Sequence, residues 1–183
     1  MKTAWRVKAG VPSYKMDPGL RECLFDPGST TARFKQISPH FKIRVLQQQW
    51  QQPQSSEILF LQMVPRTRAL IREVEIVLHD VVWMVARTVI PATTLTGSQR
   101  RLIDQLDERP IGKLLFSDPH LKRTEYEVAL LTPAHKEYAP LAHLKFISDP
   151  IWVRRSLFYL DHKPLMLIEY FLPPLVEELR KSS

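Results

Sequence analysis

Two stretches of alternating hydrophobicity, separated by two polar residues, constrain this chain more than any other feature. In the first, Leu70, Arg72, Val74, Ile76 and Leu78 share one side of an extended strand, and Ile71, Glu73, Glu75 and Val77 share the other. After His79-Asp80, residues 81–90 are rich in β-branched side chains and stop at Pro91. Such a pair predicts an antiparallel hairpin, although no glycine marks its turn. A second hairpin is predicted from 154–160 and 165–172 around Asp161-His162-Lys163, and further strands over 41–46 and 123–131. Short helices are expected within 17–36, broken at Asp26-Pro27-Gly28 with Ser29 or Thr30 capping the second, and also within 93–106 and 111–116. The polar segment QQQWQQPQSS reads as a loop, residues 132–150 as an insertion or lid, and the residues after Pro173-Pro174 as a charged tail. Hairpins with helices grouped between them predict an α+β fold on an antiparallel sheet, and argue against a doubly wound one.

The length of 183 residues suits one domain spanning 1–183. With 26 Lys and Arg against 19 Asp and Glu the net charge is +7. The basic residues fall as scattered pairs such as Arg100-Arg101, Lys122-Arg123 and Arg154-Arg155, which reads as a solvated surface. No nucleic-acid partner is therefore expected; the excess charge would help draw in a small anion. One cysteine, Cys23, excludes an internal disulfide and reads as a half-buried helix residue. The N-terminus lacks a secretory h-region, and no apolar run approaches the roughly 18 residues of a membrane span, so a cytoplasmic protein is expected. The six histidines show no close metal spacing, so no metal is expected, and nucleotide-binding and serine-hydrolase motifs are missing.

Three charges stand on apolar strand faces. Arg72 is in phase with Leu70 and Val74, Arg87 with Val85 and Val89, and Glu169 with Leu165, Leu167 and Phe171. An unpaired buried charge costs several kcal/mol, so each needs a partner. Two arginines and one glutamate leave a residual positive charge suited to a ligand with one or two carboxylates, which the guanidinium fork binds in bidentate fashion. An internal Arg–Glu pair is the other reading of the same residues.

Ile71-Arg72-Glu73-Val74, Trp83 through Pro91, Leu95-Thr96-Gly97, Arg109 through Phe116, Trp152-Val153-Arg154-Arg155-Ser156, Lys163-Pro164-Leu165 and Glu169 through Pro173 together resemble the chorismate pyruvate-lyase family, in the family's order. The resemblance covers roughly residues 20–173. It implies an antiparallel sheet with helices packed on it and helical flaps over an enclosed ligand site. It further implies conversion of chorismate to 4-hydroxybenzoate and pyruvate for quinone biosynthesis, such as that of ubiquinone or plastoquinone, with no cofactor. Carried across, Arg72 would hold the ring carboxylate with the backbone N–H groups of Thr30 and Ile111. Arg87 would face the enolpyruvyl carboxylate, and Glu169 would sit by the ring hydroxyl, either orienting it or removing the adjacent proton. The family usually has Met at the position of Thr30, Leu at that of Ile111 and Gly at that of Ala86, and a shorter connection in place of 132–150. The alternative is a non-catalytic carboxylate-sensing domain of the same fold. That module would normally be joined to a DNA-binding helix-turn-helix, for which the residues before the first helix leave little room.

Overall fold

The computed structural model describes residues 2–181 except 39, 97–102, 104–108, 110, 117–121, 146, 148 and 161. The strands are β1 (Arg6–Val7), β2 (Phe41–Gln51), β3 (Ala69–Leu78), β4 (Val81–Pro91), β5 (Lys122–Arg123), β6 (Glu127–Leu131), β7 (Ile151–Leu160) and β8 (Lys163–Phe171). They form one antiparallel sheet in the order β1-β6-β7-β8-β4-β3-β2, with β5 added to β7. The helices are α1 (Pro18–Phe25), α2 (Thr30–Ile37), α3 (Ser55–Phe60), α4 (Ile111–Phe116) and α5 (Pro173–Lys181). The α+β architecture and both hairpins are as the alternation predicts.

The β3–β4 turn dispenses with glycine by placing His79 and Asp80 at φ 49° and 61°, the left-handed pair that a two-residue hairpin turn requires. Asp17 caps α1 by accepting from Gly19 N–H, and Ser29 caps α2 by accepting from Ala32 N–H at 3.3 Å. The helix break at 26–29 therefore follows from Pro27 and Ser29.

Four expectations need correction. The glutamine-rich segment is not all loop: β2 runs to Gln51, pairing with Ala69, because its backbone completes the ladder whatever its side chains, and α3 follows it. The strand expected over 123–131 is split, with residues 124–126 outside both β5 and β6. The charged tail is α5, which buries Leu175 and Leu179 in one cluster with Leu20 and Leu24 of α1. Among the described residues of 132–150, none lines the cavity described below. Tyr138, Leu141, Leu144 and Ile147 from that segment are buried on the opposite face of the sheet, with Val85, Val89, Ile168 and Tyr170. Most of the helix expected within 93–106 lies outside the described residues.

The sheet thus has two covered faces. Helices α1, α2, α4 and α5 pack on one; α3 and the 3-10 segment Lys136–Leu141 pack on the other.

Candidate active site

One rung of the sheet organises the site. Val74 pairs with Ala86, Ala86 with Glu169, Glu169 with Arg154, and Arg154 with Val128. Directly paired residues point to the same face, so Glu169 and Arg154 stand side by side beneath the helices. The helices and this face close over a small cavity of about 40 Å³. Thr30, Ile111, Tyr126, Arg154, Phe158 and Glu169 are among its walls, with Val74, Ile76, Met84 and Ala86 forming an apolar floor.

Arg154 is 2% exposed and each of its guanidinium nitrogens has a partner. Its Nε donates to Glu169 Oε2 at 2.5 Å, and its Nη1 to the carbonyls of Cys23 and Leu24 at 3.0 and 3.1 Å. Its Nη2 donates to Thr30 Oγ1, and Tyr126 lies against it with the ring centroid 4.3 Å away. Thr30 Oγ1 in turn donates to Glu169 Oε1 at 3.0 Å. Burial opposes the Arg154 charge, but the Glu169 carboxylate outweighs it and holds the guanidinium's pKa above its ordinary value. Burial likewise raises the Tyr126 phenol, with Arg154 working the other way.

Arg72, 3% exposed, lies on the same sheet face, one rung further along at Thr88. Its Nη1 donates to Gln48 Oε1 at 2.6 Å and its Nη2 to the carbonyl of Arg109 at 3.2 Å, which sets it beside the start of α4 at Ile111. Thr30 and Ile111 both line the cavity, with the Thr30 hydroxyl on Glu169 and Arg72 bonded just before Ile111.

Arg87 does not join them, which corrects the expectation that it faces the substrate. It pairs across the sheet with Glu73 and Ile168 and so points to the other face. There each guanidinium nitrogen has a carboxylate partner. Nε and Nη2 donate to the two carboxylate oxygens of Glu57 at 2.6 and 3.0 Å, and Nη1 to Glu73 Oε1 at 2.5 Å. The carboxylates overcome the cost of burial and hold the Arg87 pKa above its ordinary value. A ligand carboxylate arriving there would meet two negative charges and one positive.

The alternation argument missed Arg154, which looked like half of a surface pair. A signal was present: counting outward from Leu160 opposite Lys163 brings Arg154 opposite Glu169. Arg155, its neighbour, is also buried on the far face, donating to Glu127 at 2.6 Å and lying over the rings of Trp5 and Phe60. Cys23 is 2% exposed rather than half-buried, and burial pushes its thiol up to about 11. Among the described residues no cluster of His, Cys, Asp and Glu could hold a metal ion.

A covered sheet with a small polar-ended cavity defines a ligand-binding α+β domain. The same fold occurs in the effector domain of PhnF from Mycobacterium smegmatis, with a TM-score of 0.56, 14% identity, and coverage of 80% of this chain and 90% of that one. It recurs in the ligand-binding domain of a GntR-family regulator from Bordetella bronchiseptica, with a TM-score of 0.52, 14% identity, and 73% and 86% coverage. Those likenesses concern the fold alone. Sequence goes further: residues 4–181 match the chorismate lyase family, and the chain belongs to it. A probable chorismate pyruvate-lyase of Methylococcus capsulatus is 37% identical over 155 residues, covering 84% of this chain and 94% of that protein. Another from Psychromonas ingrahamii is 32% identical over 174 residues, covering 93% and 90%.

Proposed function

We propose that this protein is a chorismate pyruvate-lyase that eliminates enolpyruvate from chorismate and leaves 4-hydroxybenzoate, the enolpyruvate becoming pyruvate. The observation that carries the reading is the pair of polar groups on one sheet face: Glu169 with Arg154 lining the cavity, and Arg72 one rung further along. One rung is roughly 7 Å along a strand, and β3 to β8 is two strand spacings, roughly 10 Å. Two inward-reaching side chains span that diagonal to a ring carrying a carboxylate and a para oxygen.

In this reading Arg72 and the Ile111 N–H hold the ring carboxylate, and Glu169 accepts from the ring hydroxyl. The Thr30 N–H, left over at the first turn of α2, faces the ring oxygens. Breaking the ether bond and losing the hydrogen on the hydroxyl-bearing carbon makes the ring aromatic, so the pocket's work is orientation and electrostatic stabilisation. We therefore infer that no cofactor is needed and that the reaction runs in the cytoplasm, where both ligands are soluble anions.

The enolpyruvyl carboxylate needs a cation other than Arg87. We assign it to Arg123, whose guanidinium lies over the cavity-lining rings of Tyr126 and Phe158 at 4.1 and 5.8 Å and donates to the Pro27 carbonyl at 3.1 Å. Arg123→Ala is expected to lower kcat/KM for chorismate at least ten-fold while leaving 4-hydroxybenzoate affinity nearly unchanged. Equal weakening toward both would remove Arg123 from this role. The primary test is to incubate the protein with chorismate, with and without a chelator, and follow 4-hydroxybenzoate by chromatography. Binding without turnover would favour the carboxylate-sensing alternative, which the fold likenesses keep in view.

A further inference from the structure

Glu169 is held at both oxygens by its own protein. Oε2 accepts from Arg154 Nε and Oε1 accepts from Thr30 Oγ1, and the same Thr30 oxygen accepts from Arg154 Nη2. The three side chains close a ring of hydrogen bonds. A carboxylate offers about four lone-pair positions, so two remain, and Glu169 lines the cavity. The ring is also anchored outside the sheet. Arg154 Nη1 reaches the carbonyls of Cys23 and Leu24 at the last turn of α1, where helix carbonyls lack intrahelical partners, and that of Asp26 at 3.4 Å in the corner before α2.

We propose that Arg154 and Thr30 are positioning residues that clamp Glu169 in the one orientation that accepts the ring hydroxyl, and that the clamp closes only when the α1–α2 corner is seated on the sheet. Neither side chain touches the reacting bond; both act through Glu169. The hydroxyl of Thr30 is what links the corner to the carboxylate, since Thr30 begins α2 and Glu169 belongs to β8. Arg154 supplies the charge and bridges sheet to corner with a single guanidinium, which a lysine ammonium, a point charge, cannot reproduce.

This inference rests on the lyase reading, and the test separates the two. Affinities for 4-hydroxybenzoate and for benzoate, which lacks the ring hydroxyl, are measured by calorimetry for the unaltered protein, Thr30→Val and Thr30→Ser, with kcat and KM for chorismate. Thr30→Val keeps the shape and removes the hydroxyl. It is expected to weaken 4-hydroxybenzoate roughly ten-fold, the worth of a hydrogen bond to a charged group, and leave benzoate within about two-fold. It should lower kcat more than it raises KM, and Thr30→Ser should restore both. Arg154→Lys, if it folds, should lose the preference for the hydroxyl at least as far. If the unaltered protein neither consumes chorismate nor prefers 4-hydroxybenzoate to benzoate, the lyase reading falls and the clamp with it. If it does both, the clamp alone is overturned by Thr30→Val weakening the two ligands equally or neither, by Thr30→Ser failing to recover, or by a folded Arg154→Lys with normal kcat and preference.

Discussion

The two faces of the sheet use the same chemistry to different ends. Each buries arginine against glutamate. On the far face Arg87 meets two carboxylates, Glu57 and Glu73, and the depression that Arg87 and Glu73 border with Gln47, Gln49 and His143 is open rather than closed over by helices. On the near face Arg154 meets one carboxylate, Glu169, whose remaining lone pairs border a cavity. A buried charge is therefore a pointer to function only when its partner has capacity left over. Arg87 is consumed by the fold, and Glu169 is not.

That contrast is exposed to test. The largest effect is expected from Arg87→Met, which leaves Glu57 and Glu73 buried without a cation. It should cost about 3–5 kcal/mol, read as a lower urea midpoint, while the folded protein still binds 4-hydroxybenzoate. Loss of binding with little change in stability would return Arg87 to the site. Arg72→Ala should do the reverse. Binding of 4-hydroxybenzoate should weaken by about 2–5 kcal/mol in calorimetry, with a smaller shift of the urea midpoint. If the two variants behaved alike, the division between the faces would fail.

The near face also has a pH signature. The Cys23 thiol is raised from 9.0 to about 11, mainly by burial. Below pH 9 the thiol is neutral folded or unfolded, so its contribution is complete. Above it the unfolded chain releases the proton first, and stability falls as pH rises to about 11, by at most about 3 kcal/mol. Unfolding curves between pH 8 and 11 should therefore decline less steeply for Cys23→Ala than for the unaltered protein; parallel curves would contradict this. The smallest effect is expected at the β3–β4 turn, which both faces share. Asp80→Gly should change stability by only about 0.5 kcal/mol and ligand affinity not at all, because glycine relieves the left-handed φ but frees the unfolded chain. A melting-temperature change of many degrees would show that the turn does more than connect.

The hairpins were legible because their burial is periodic and their turns are short. Arg72 and Glu169 were legible because a charge breaks that period. The face each occupies was not, since alternation within one strand leaves its phase relative to the next strand open. Placing Arg87 with Arg72 needed the register Glu73 opposite Arg87, which only the paired strands supply. Arg154 was hidden because adjacent Arg155 made the two look like a solvated pair, and because its partner lies across the hairpin. The strand through Gln51 was hidden for a related reason: Gln47, Gln49 and Gln51 look like a loop by composition, but their side chains bond one another and Gln47 reaches Glu73 at 2.5 Å.

The strand order carries a consequence for the chain's history as well as its shape. Both hairpins join neighbours in sequence, and each can zip up from its own turn. The join between β4, Val81–Pro91, and β8, Lys163–Phe171, links segments far apart in sequence, and closing so long a loop is slow. The cavity floor straddles that seam, with Ala86 on one side and Glu169 on the other. A partly folded chain can therefore hold both hairpins complete and still possess no place for a ligand. Recovery of 4-hydroxybenzoate binding during refolding would then lag behind the recovery of strand signal, and catalytic competence would be the last thing the protein acquires.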